Sequence, residues 1–155
     1  MRDAERAREL APSVEEAGNV MISSYEALGR FEDAARLIGE QRCWGYRIDG
    51  GELLAAFRKD GATGYLRRRL ELMYETSTGH AGHSPYLALA ITHAVLGERD
   101  AALAQLEKLV AARAGGSVFI AVDPALRQFR GDDRFEALLK RVGTPMASAP
   151  HTTSR

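Results

Sequence analysis

The chain has 155 residues, of which 45% are hydrophobic and 27% charged, with 21 basic and 21 acidic side chains and a formal net charge of zero. That balance argues against nucleic acid as a partner, because phosphate binding needs a basic surplus or stripe. No apolar run approaches membrane-spanning length, the N-terminus lacks a signal peptide's apolar core, and the single Cys43 leaves no internal disulfide, which together fit a cytoplasmic, reducing setting.

In chain order, a short helix is expected over Asp3–Leu10, followed by Pro12. A helical hairpin follows at Val14–Leu28 and Phe31–Gln41. A connection carrying Cys43, Trp44 and Tyr46 leads to a second hairpin, Glu52–Lys59 and Ala62–Tyr74, broken at Asp60-Gly61. The loop from Thr76 to Ser84 holds His80 and His83. The third hairpin is Pro85–Leu96 and Asp100–Arg113, where Leu87, Ile91, Ala94 and Val95 form one stripe and Leu103, Leu106 and Val110 another. Ser117–Val122 connects to a short turn of helix at Pro124–Phe129. Asp133–Val142 closes the array, with Phe135, Leu138, Leu139 and Val142 on one face. Residues 1–143 thus read as one helical repeat domain, and 144–155, rich in Pro, Ser, Thr and Ala, as a disordered tail.

Four landmarks fall 34 residues apart: Gly29, Thr63, Gly97 and Gly131. Leu28-Gly29 and Leu96-Gly97 are each followed by an acidic residue and then by small residues leading an apolar helix. A glycine there ends the first helix in a left-handed conformation. Asp33 and Asp100 suit the first turn of the second helix. Ala34 and Ala102 are small enough for close helix approach. On these stretches the chain resembles the tetratricopeptide (TPR) family, whose repeat is a helical hairpin of this period. The later string, Tyr86–Ala90, Leu96-Gly97-Glu98, Asp123-Pro124 and Asp133-Arg134-Phe135, resembles the terminal repeats of TPR arrays in bacterial signalling proteins. The second hairpin departs from the pattern, with Thr63 for the glycine and Arg68 for a small residue.

The resemblance implies an all-α fold. It would be a right-handed α-solenoid of about three hairpins, with a partial N-terminal helix and a C-terminal capping helix. It also implies a chain that begins half-way through a repeat. The structural residues of the repeats would be Gly29, Ala34, Gly97, Ala102 and Gly131. In such arrays the first helices of successive hairpins line a concave groove. Here that face would carry Asn19, Ser23 and Glu26, then Leu53 and Phe57, then Leu87, Ile91 and Ala94. The function implied is non-catalytic: a protein or peptide partner, a helix or extended segment, held in the groove of a scaffold or of the sensor part of a regulator. The alternative is a structural or homodimerising array with the groove closed.

Chemistry finds few residues. His80 and His83 would need further ligands to hold a metal, so a small metal enzyme built on them is a remote alternative. No cofactor or metal is expected, and no catalytic residue. His93 reads as a packed, satisfied histidine and Cys43 as a buried thiol. The run Arg67-Arg68-Arg69 reads as a solvated helix face.

Overall fold

Apolar residues at helical spacing line the buried faces of the helices in the computed structural model, which describes residues 15–40, 48–77 and 85–143 and contains no strand among them. The helices are α1 (Glu15–Ala27), α2 (Phe31–Glu40), α3 (Gly50–Ser77), α4 (Tyr86–Val95), α5 (Arg99–Ala111) and α6 (Asp133–Val142). Two 3₁₀ segments, Gly115–Phe119 and Pro124–Phe129, bridge α5 to α6. The expected helix at Asp3–Leu10, Pro12, the Cys43–Tyr46 connection, the His80/His83 loop and the tail lie outside the described residues. No described helix is long and apolar enough to cross a membrane.

The first and third hairpins close with the same backbone motif. After α1, the Arg30 N–H donates to the Tyr25 carbonyl at 2.8 Å and the Gly29 N–H to the Glu26 carbonyl at 3.0 Å. After α4, the Glu98 N–H donates to His93 at 2.9 Å and the Gly97 N–H to Ala94 at 3.1 Å. These nested bonds need a left-handed residue, supplied by Gly29 at φ 72° and Gly97 at φ 76°. Gly131, at φ 84°, turns the chain into α6. There Asp132 accepts the N–H groups of Arg134 and Phe135, at 2.7 and 3.0 Å. The Phe135 N–H, together with Arg99, holds that carboxyl below its usual range.

Continuous on paper, α3 is itself a hairpin. Asp60 and Gly61 leave helical geometry, and Gly61 takes φ 64°, so the positive φ falls two residues before Thr63. The Arg68 guanidinium donates to Glu52 at 2.8 Å, across 16 residues that a straight helix would hold about 24 Å apart. The two arms, residues 50–59 and 62–77, therefore fold back on each other. Arg68 also bonds Glu71 on its own arm at 2.7 Å, and through Glu52 the residue that departs from the small-residue pattern joins the two arms. Gly50 and Gly51 open α3.

Burial divides the molecule into two cores. The first gathers Met21, Ile22, Ala34, Ile38, Leu53, Tyr65 and Met73, with Phe31 stacked on Phe57 at 5.3 Å and meeting Tyr65 edge-on at 5.1 Å. The second gathers Ala102, Leu103, Leu106, Leu126, Phe129, Phe135 and Leu139. Both reach into α4, through Ala88 and Leu89 on one side and Ala90 and Ala94 on the other.

The corner of α3 yields a direct test. A Cβ at Gly64 would lie 2.6 Å from the Ala56 carbonyl oxygen, and backbone cannot move aside cheaply. At Gly39 the nearest atoms would be 3.5 Å away, an ordinary contact. Gly64→Ala is expected to destabilise by about 1–3 kcal/mol through overpacking, while Gly39→Ala is neutral or stabilising by up to about 1 kcal/mol. Urea unfolding of both variants decides; equal midpoints would mean that α3 does not turn so tightly.

Candidate functional site

The apolar stripe on the second arm of α3 runs Tyr65, Leu66, Leu70 and Met73, all buried. That phase carries position 69 inward with them, because it lies one helical turn from both Tyr65 and Met73. Arg69 is accordingly only 2% exposed. The three arginines therefore do not share a solvated face. Arg67 is exposed, Arg68 is half-buried and pairs with glutamates, and Arg69 enters the core.

A buried guanidinium must be paired. Arg69 donates to Glu26 on α1 and to the Thr92 hydroxyl on α4. The same Glu26 oxygen accepts the Tyr65 hydroxyl at 2.8 Å. Burial alone would lower the Arg69 pKa, but the Glu26 charge and the hydrogen bonds outweigh it and raise it. Burial, reinforced by the Glu26 charge, pushes the Tyr65 hydroxyl up. The hydroxyl therefore stays protonated and acts as a donor. One carboxylate and one guanidinium thus join three helices that are distant in sequence.

Above this cluster lies a cleft of about 260 Å³. Ser23, Glu26 and Ala27 of α1 form one wall with Phe31, and Leu66 and Arg69 of α3 form the floor. Ala88, Ile91 and Val95 of α4 form the second wall, and Asp123, Pro124 and Ala125 close the end. The Asp123 carboxylate caps its 3₁₀ segment by accepting the Ala125 N–H at 2.8 Å. Burial lifts its pKa above the ordinary carboxyl value, against two backbone N–H groups and Arg127.

Of the eight residues placed on a groove by the sequence, Ser23, Glu26 and Ile91 come together in this cleft. Asn19 is half-buried elsewhere on α1. Leu53 is fully buried in the first core and Phe57 packs on Phe31. Leu87 packs against Gly116, and Ala94 is buried in the second core. From the second hairpin it is the later arm, through Leu66 and Arg69, that reaches the cleft. Helical phase was the signal for Arg69, and the adjacent arginines masked it.

His93 is buried and satisfied at both nitrogens. Nδ1 bonds the Glu98 carboxylate at 2.7 Å and Nε2 meets the Tyr74 hydroxyl at 2.9 Å, which accepts from Gln105 at 3.0 Å. The chain staples α3, α4 and α5 together. His80, His83 and Cys43 lie outside the described residues, among which no three His, Cys, Asp or Glu side chains converge as metal ligands.

The buried pair predicts strong non-additivity. Arg69→Met leaves the part-buried Glu26 without its cation and is expected to cost about 3 kcal/mol in urea unfolding, the lower end for a broken buried pair. Glu26→Leu and Tyr65→Phe combined with Arg69→Met should recover most of that loss, because apolar residues of similar size need no partner and no buried hydroxyl is left without its acceptor. Additive losses would show that the pair contributes little beyond packing.

No family model matches this chain. No curated protein and no solved structure matches it either.

Proposed function

We propose that this chain is a non-catalytic interaction module of TPR-like hairpins, stacked as a right-handed solenoid, that holds a segment of a protein partner in the cleft between α1, α3 and α4. One observation carries the reading: residues far apart in sequence converge on a partly apolar concavity whose floor is fixed by a buried ion pair. The shared helix-ending motif after α1 and α4 supports the repeat reading. Exposed apolar Val95 at the cleft margin offers further contact for a helix or an extended segment.

A second reading, a homodimerising array, is favoured by a different surface. Val118, Phe119 and Val122 are each more than half exposed within five residues of one connection. Contiguous apolar surface of this kind marks contact sites.

Two variants separate the readings. Ile91→Glu places a charge in the cleft wall and should abolish capture of a partner from lysate. Arg67→Ala, outside the cleft lining, should leave capture unchanged. Both are checked for folding by circular dichroism, with captured proteins identified by mass spectrometry. Loss of capture with Arg67→Ala but not Ile91→Glu would place binding on another face. In light scattering the wild type is expected to be monomeric; a dimer dissociated by Phe119→Glu would establish the second reading instead.

A further inference from the structure

The charges of the cleft say what kind of side chain it takes. Its lining carries two carboxylates, Glu26 and Asp123, against one guanidinium, Arg69. That guanidinium is 2% exposed and already neutralised by Glu26, so it is in no position to receive an acidic ligand. Asp123 is the surplus charge. It is a half-buried carboxylate whose backbone N–H partners and Arg127 only partly offset the cost of burial. A carboxylate can accept at about four lone-pair sites, so the capping bonds leave room for another donor. The apolar side chains of Leu66, Ile91 and Val95 line the same cleft as Asp123.

The cleft is also small. At about 260 Å³ it falls below the usual range of small-molecule pockets, about 300–1,000 Å³. It suits one long side chain of a segment lying across it better than a cofactor. The side chains that combine an aliphatic stem with a cationic head are lysine and arginine.

Resting on the partner-binding reading above, we propose that the cleft seats a single arginine or lysine side chain of the partner segment, its stem against Leu66, Ile91 and Val95 and its cation on the Asp123 carboxylate. Such a contact is desolvated, so salt weakens it less than it weakens a surface pair. It also selects against acidic peptides, which would set a second negative charge beside Asp123.

The test is selection of a random peptide display library on the full chain. Peptides enriched at the cleft, defined as those lost on Ile91→Arg, should share one Arg or Lys beside apolar residues. Replacing that residue by norleucine should weaken binding about tenfold or more, and Asp123→Asn should do the same to the original peptide. Asparagine preserves the cap, so the variant should remain folded, as thermal melting would check. Cleft-directed peptides with no basic residue, or peptides that bind Asp123→Asn as tightly as wild type, would overturn this proposal and leave the interaction-module reading in place. A selection yielding no peptide sensitive to Ile91→Arg would overturn both.

Discussion

A charge inside the molecule organises this fold. Arg69 enters the core because the apolar phase of α3 carries it there, and a guanidinium so placed is tolerable only when its charge is paired. Glu26 pairs with it from α1, and the Thr92 hydroxyl accepts from it on α4. Apolar packing between these helices would permit sliding, since hydrophobic contact is non-directional. The bonds to Arg69 do not, and they fix the separation of the two walls. The cleft is therefore set by a polar interaction beneath it.

The second constraint is that α4 serves both cores. Its residues alternate between the α1–α3 side and the α5–α6 side, so disturbance of α4 reaches both. The Glu98–His93–Tyr74–Gln105 chain reinforces this from the far face. Gln128 adds a bond from the Pro124–Phe129 segment to the Ala94 carbonyl at 3.0 Å, anchoring the end of the cleft that carries Asp123. The proposed binding role draws on this packing, because a preorganised concavity loses less entropy on binding.

Much of the helical architecture is legible in the sequence. Phe31–Glu40 and Asp133–Val142 have clean amphipathic patterns, and their observed bounds lie within a residue of those expected. Glycines after Leu28 and Leu96 mark real left-handed turns. The α3 corner is legible at Asp60-Gly61, but a strict 34-residue ruler points to Thr63, because period alone cannot tell where the backbone must take a positive φ. The cleft is harder to read. Leu53 and Phe57 have the right character for a groove, yet they turn into the first core. Whether an apolar residue is walled in depends on neighbours that no local pattern reveals. Arg69 is hidden by its company: three consecutive arginines look like one wet surface, although a helix rotates each by about 100° from the last.

The central claim is that Arg69 holds α1 and α4 in register against α3. Hydrogen exchange by mass spectrometry tests it most directly, comparing wild type with Arg69→Met under conditions where both remain folded. The account predicts the largest loss of protection in α1 and in the Ala88–Val95 part of α4, with a smaller loss in α5 and α6, which touch Arg69 only through α4. Uniform loss across all helices, or unaltered protection in α1, would contradict it.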